Sequence, residues 1–157
     1  MLRIAGIVKE SVVDGPGLRY VIFTQGCLKR CIGCHNSHTQ NLIGGYEITI
    51  TELLESILGL KLINGITFSG GEPFLQAQDC ARLAHSIKEK RKELNIIAYS
   101  GYYYNELLMM SKDDPAIKEF LCEIDFLIDG PFDKDQKSYN LPFRGSRNQK
   151  IIELAKI

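Results

Sequence analysis

A chain of 157 residues, 45% apolar and 24% charged, is expected to form one domain, 1–157, with enough interior for a sizeable core. Nineteen Lys and Arg balance nineteen Asp and Glu, which excludes a global field that would draw the chain to nucleic acid or to a membrane. No apolar run approaches membrane-spanning length and no signal-peptide core opens the sequence, so the expectation is a cytoplasmic protein with reduced thiols.

In chain order, Leu2 to Val8 has strand-like content and leads to the turn Gly15-Pro16-Gly17, between Asp14 and Arg19. On their own residues, Asp14 reads as a turn-capping carboxylate and Arg19 as a surface charge. Tyr20-Val21-Ile22-Phe23-Thr24 is a β-branched, aromatic run and reads as a buried strand. Thr49-Ile50-Thr51-Glu52 has the form of a capping box, and Ile50, Leu53, Leu54, Ile57 and Leu58 follow at helical spacing. Ile66 to Ser69 is a short strand that ends in Gly70-Gly71-Glu72-Pro73. Paired glycines at such a point let the backbone approach a ligand with no side chain intervening. A helix is expected from about Gln78 to Leu94, with Cys80 as a small buried residue, and Cys122 is expected to be buried in the same way. Ile96 to Tyr99 is a third strand, ending at Ser100-Gly101. Helices then cover Asn105 to Met110 and the stretch from Asp114-Pro115 through Leu121. Ile124 to Asp129 is a fourth strand, and Ile151-Ile152 is strand-like again. Alternating strands and helices imply parallel pairing. A closed eightfold barrel typically needs about 250 residues, so the expected fold is α/β, an open partial (β/α) barrel of about six mostly parallel strands.

The second strand runs directly into Cys27-x3-Cys31-x2-Cys34, which holds three of the five cysteines within eight positions. Such spacing turns neighbouring sulfurs toward a common point, and thiolate is a soft ligand suited to an iron–sulfur cluster, zinc or copper(I). Three thiols on a [4Fe-4S] cube leave one iron without a protein ligand. Zinc held by Cys27, Cys31, Cys34 and either His35 or His38 is the rival metal reading, though no second Cys-x2-Cys knuckle is present. Three small buried cysteines are the bland alternative. Disulfides are disfavoured by the odd count and the reducing compartment.

The cysteine spacing at a strand end, with Gly70-Gly71-Glu72-Pro73 on a later strand, resembles the radical S-adenosylmethionine superfamily. Asp14-Gly15-Pro16-Gly17-x-Arg19 and the His35-Asn36 pair resemble its glycyl-radical-enzyme activases. The short chain and Arg144-Gly145-Ser146-x-Asn148-Gln149 are similar to the branch serving anaerobic (class III) ribonucleoside-triphosphate reductases. That resemblance implies a [4Fe-4S] cluster on Cys27, Cys31 and Cys34, with S-adenosylmethionine chelated at the open iron. It implies that Gly70, Gly71 and Glu72 hold the methionine amino group, and that Gly33, Cys34 and His35 contact the adenosine. Ser100 and Asp129 are further candidates, for the methionine carboxylate or the ribose. No side-chain acid or base is nominated. The implied partners are the reductase, whose glycine loop is the substrate, and a flavodoxin-like electron donor. Asp14, Arg19 and the Arg144–Gln149 stretch are expected to contact the partner or close over the site. Many superfamily members carry an aromatic residue just before the third cysteine, against the adenine. Here that position is Gly33, so either the base packs on backbone or another side chain covers it. The alternatives are an activase of pyruvate formate-lyase type, and a zinc or iron–sulfur binding module without catalysis.

Overall fold

The computed structural model describes residues 1–29, 31–34 and 37–154. Its described strands form one open sheet: β1 (Leu2–Ser11), β2 (Arg19–Thr24), β3 (Tyr46–Ile48), β4 (Gly65–Gly70), β5 (Asn95–Tyr99), β6 (Phe126–Asp129) and β7 (Lys150–Glu153), in the spatial order β3-β1-β2-β4-β5-β6-β7. The four central strands β2, β4, β5 and β6 are parallel, with Tyr20 opposite Ile66, Ile66 opposite Ile96 and Ala98 opposite Leu127. β1 is antiparallel to both β2 and β3, and β7 is antiparallel to β6. The parallel centre was expected. The antiparallel margins and the seventh strand were not, because β3 is three residues long and largely exposed.

Four helices, α1 (Ile50–Leu58), α2 (Ala77–Lys90), α3 (Tyr104–Met110) and α4 (Pro115–Glu123), connect these strands. The capping box of α1 forms as read: Thr49 Oγ1 accepts from the Glu52 amide at 3.0 Å, and Glu52 Oε2 accepts from the Thr49 amide at 2.9 Å. All four helices bury side chains in one apolar core, which includes Leu53, Ile57, Leu83, Ile87, Leu107, Ile117 and Phe120. The strand residues in that core include Leu2, Ile4, Tyr20, Ile22, Ile66, Phe68, Ile96, Ala98 and Leu127. Val21, Thr67, Ile97 and Ile128 alternate with them and are buried on the opposite face. The helices therefore cover one side of the sheet, and the other is closed by loops.

Arg19 explains part of that closure and corrects the sequence reading. It is fully buried, not a surface charge. Its Nε donates to Thr67 Oγ1 at 2.7 Å, Nη2 to the carbonyls of Ile66 (2.7 Å) and Asn95 (3.2 Å), and Nη1 to Pro16 O at 3.1 Å. Thr67 Oγ1 in turn donates to Asp14 O at 3.0 Å. The loop between β1 and β2 is thus folded over the inner face of β4 and β5. Gly15 (φ +142°) lies so close to the guanidinium stem that an added Cβ would stand 2.7 Å from Arg19 Cδ. Cys80 is buried as expected, whereas Cys122 is exposed on α4.

Candidate cofactor site

The carboxyl ends of the parallel strands open into one cleft of about 560 Å³. This is where open α/β sheets place their ligands. Cys27, Cys31 and Cys34 border it, all half-buried thiols. Thr24, the last residue of β2, delivers the chain into the cysteine loop. That loop is anchored by the Gly26 amide on Thr39 O (2.6 Å) and the Cys27 amide on Gln40 O (3.2 Å). Among the described residues, no three His, Cys, Asp or Glu side chains gather closely enough to share one metal ion. The three cysteines instead line one cleft, and three thiolates from one loop would suit a multi-iron cluster with one corner per thiolate.

Gly70 and Gly71 line the same cleft from the end of β4. Gly70 has φ +91°, and a Cβ on Gly71 would collide with Gly26 O, so this close approach of two loops requires glycine. The Gly71 and Glu72 amides bond to Thr24 O and Gly26 O at 2.7 and 2.8 Å, which ties the glycine pair to the cysteine loop. Ser100 and Gly101 line the next stretch of wall, followed by Gly130 after β6. The far side carries Phe132, Phe143 and Arg144, with Asp14 and Val13 of the β1–β2 loop nearby.

Two carboxylates expected at the ligand are turned toward protein groups. Glu72 is 1% exposed. It accepts from Ser100 Oγ (2.9 Å), the Gly101 amide (2.6 Å) and the Phe74 amide (3.2 Å), which fastens the end of β4 to the end of β5. Burial pushes its pKa up to about 7, outweighing those three donors and the nearby Lys29, all of which favour the ionised form. Asp129 is 3% exposed and accepts from the amides of Tyr104 (2.9 Å) and Lys150 (3.1 Å), fixing the start of α3 and the start of β7. Their neighbours Gly71 and Gly130 form the cleft wall in their stead. Gly33 sits in the cysteine loop at φ +76°, beside Phe132. His35, expected at the adenosine, lies outside the described residues, as does Asn36.

Two cations border the cleft. The Lys29 ammonium stands 4.5 Å from the Tyr102 ring centroid and 3.7 Å from Glu106 Oε2, which links the cysteine loop to the start of α3. Arg144 donates to Gln149 O at 3.4 Å, and its Nε is buried without an acceptor among the described residues. Sequence reasoning did not single out Lys29 as a site residue, nor Phe132. Lys29's position between two cysteines was the available signal, while Phe132 had none.

Residues 13–152 match the family described as a 4Fe-4S single cluster domain. The chain belongs to that family. Three cysteines and a glycine pair that line one cleft are a donor set that would fit such a cluster. Among relatives, the anaerobic ribonucleoside-triphosphate reductase-activating protein of Enterobacteria phage T4 is 32% identical over 88% of this chain and 86% of that one. The protein of that name from Vibrio cholerae serotype O1 is 34% identical over 90% and 91%. The pyruvate formate-lyase-activating enzyme of Clostridium pasteurianum is 40% identical over 69% of this chain. The chain spans about half the length of that last relative (48%) and most of the other two. Among solved structures, QueE from Escherichia coli superposes at a TM-score of 0.46 and 16% identity, over 64% of this chain and 52% of its own. No helix among the described residues is long and apolar enough to cross a membrane.

Proposed function

We propose that this chain is a glycyl-radical activase that uses a [4Fe-4S] cluster and S-adenosylmethionine, and that its target is an anaerobic ribonucleoside-triphosphate reductase. The observation that carries the reading is the cleft itself, where three thiols from one loop and a glycine pair from the next strand border the same space. Relatives matched along nearly their whole length carry the reductase-activating name, which favours that target over pyruvate formate-lyase.

Bound together, the cluster and S-adenosylmethionine would supply a one-electron cleavage of a sulfonium carbon–sulfur bond, the chemistry needed to take an α-hydrogen from a glycine of the reductase. Cys27, Cys31 and Cys34 would hold the cluster and leave one iron open. Gly70, Gly71 and Ser100 would receive the amino-acid end of S-adenosylmethionine along the strand ends, and Gly33, Cys34 and His35 the adenosine end. Glu72 and Asp129 would act by holding those strand ends in register. The donor of the electron would be a flavodoxin-like carrier, and the protein would work in the cytoplasm.

The test is anaerobic reconstitution with iron, sulfide, reductant and S-adenosylmethionine, assaying 5′-deoxyadenosine with and without the reductase. Formation of 5′-deoxyadenosine together with a glycyl-radical paramagnetic resonance signal on the reductase is the expected result. Zinc in place of iron and sulfide after anaerobic purification would remove the reading. A signal on pyruvate formate-lyase and none on the reductase would exchange the target. Arg144, which borders the cleft, is proposed to meet the reductase. Arg144→Ala should lower glycyl-radical formation several-fold more than cofactor cleavage, and equal loss of both would count against docking.

A further inference from the structure

The wall of the cleft beyond β6 is built around one ring. Phe132 lies between two backbone segments that carry no side chain where they meet it. A Cβ added at Gly33 would stand 3.3 Å from its Cε1, and one added at Gly145 would stand 2.9 Å from Cδ2 and 3.1 Å from Cε2. Gly33 belongs to the cysteine loop and Gly145 to the segment after Phe143. The ring thus occupies the space that a side chain at position 33 would need. The backbone of Gly33, at φ +76°, is itself in a conformation that side chains rarely adopt.

Phe132 is half-buried and borders the cleft that holds the three thiols. Phe23, Tyr99 and Phe143 also border it. Of these, Phe132 is the ring that a Cβ at Gly33 of the cysteine loop would meet. The glycine pair stands at the end of β4, and Phe132 follows β6, two strands further along the sheet. Two strand spacings are roughly 10 Å. A ligand with an amino-acid head at one end and a purine at the other can reach from the glycine pair to this ring.

We propose that Phe132 is the aromatic face against which the adenine of S-adenosylmethionine packs, with Gly33 and Gly145 kept small so that this ring can reach the cysteine loop. The proposal rests on the functional reading above and adds a residue to it. Recognition of the base is moved out of the cysteine loop and onto the segment after β6. That segment also carries Phe143 and Arg144, which border the same cleft.

The chain contains no tryptophan, so Phe132→Trp supplies a single fluorescent reporter. The experiment uses the cluster-loaded protein under anaerobic conditions, with equilibrium dialysis of S-adenosylmethionine alongside fluorescence. Stacking should change the indole emission of the Phe132→Trp variant on addition of S-adenosylmethionine but not of methionine alone. A reporter at the exposed Tyr139, in the Tyr139→Trp variant, should stay unchanged. Phe132→Leu should weaken S-adenosylmethionine binding roughly 10- to 100-fold by dialysis, while Phe132→Tyr stays within a few-fold of the parent. If Phe132→Trp does not fold, shown by loss of the sheet's circular dichroism, the Phe132→Leu and Phe132→Tyr pair decides the matter by dialysis. Equal affinity of Phe132→Leu and the parent overturns the proposal while leaving the functional reading intact. A parent protein that carries the cluster and binds no S-adenosylmethionine overturns both.

Discussion

At the residue scale, two buried charged groups give the sharpest expectations. Among the described residues, Arg19 makes its hydrogen bonds to a hydroxyl and three carbonyls without a carboxylate partner, and burial lowers its pKa to about 10, so it remains a cation at neutral pH. Arg19→Met would leave those acceptors unsatisfied on the inner face of the sheet. A loss of about 2–4 kcal/mol is expected from urea unfolding of the metal-free protein. A loss under about 0.5 kcal/mol would mean that water replaces the guanidinium without cost. Glu72 predicts a pH effect. Its folded pKa, about 7, lies above the ordinary 4.5, so the folded state holds a proton that the unfolded chain has released between those values. Its contribution to stability is therefore complete below about pH 4.5 and is lost as the pH rises through about 7. Urea midpoints of the parent protein should fall across that window, and Glu72→Gln, which does not titrate, should fall less. Identical slopes would show that Glu72 is ionised throughout. Neither property was legible in the sequence. An arginine after a glycine turn reads as solvated, and a glutamate in a glycine-rich loop reads as a ligand. Burial depends on where the β1–β2 loop and the end of β5 fold in space.

At the scale of elements, the central strands were legible because β2, β4, β5 and β6 are short β-branched or apolar runs that end in polar or glycine residues. The start of α1 was legible because its capping chemistry is local. The segment after β6 was not, since its order comes from long-range contacts. Tyr99 Oη donates to Phe143 O at 2.7 Å, Asn148 Nδ2 to Pro131 O at 2.7 Å, and Gln149 Nε2 to Gly130 O at 3.0 Å. Phe143 itself takes φ 58°, a conformation that costs a non-glycine residue on the order of 1 kcal/mol or more and persists only when its surroundings hold it. Tyr99→Phe removes the hydroxyl that captures its carbonyl. The expected outcome is a stability loss of about 1 kcal/mol and faster amide exchange confined to residues near 141–149. Exchange accelerating equally across β5 and β6 would mean that the hydroxyl supports the sheet and not the segment.

For the whole molecule, the division of labour across the sheet matters most. The apolar core lies on the helical face, while Cys27, Cys31 and Cys34 stand at the strand ends, outside that core. Replacing all three cysteines by alanine should abolish iron and sulfide uptake on reconstitution and leave circular dichroism and the urea midpoint within about 1 kcal/mol of the metal-free parent. Collapse of the fold in that variant would show that the thiols are structural. The grouping of three cysteines on one cleft was legible from their spacing, because residues so close in one loop stay together whatever the rest of the chain does. The exposure of Cys122 was not, because a lone cysteine on a helix gives no sign of which face it occupies.

Because Gly70, Gly71 and the strand ends are held by main-chain bonds and by Glu72, loss of a cluster from the cleft should be repairable. A polypeptide stripped of its iron would keep its shape, wait as an empty vessel, and be refilled when oxygen is gone.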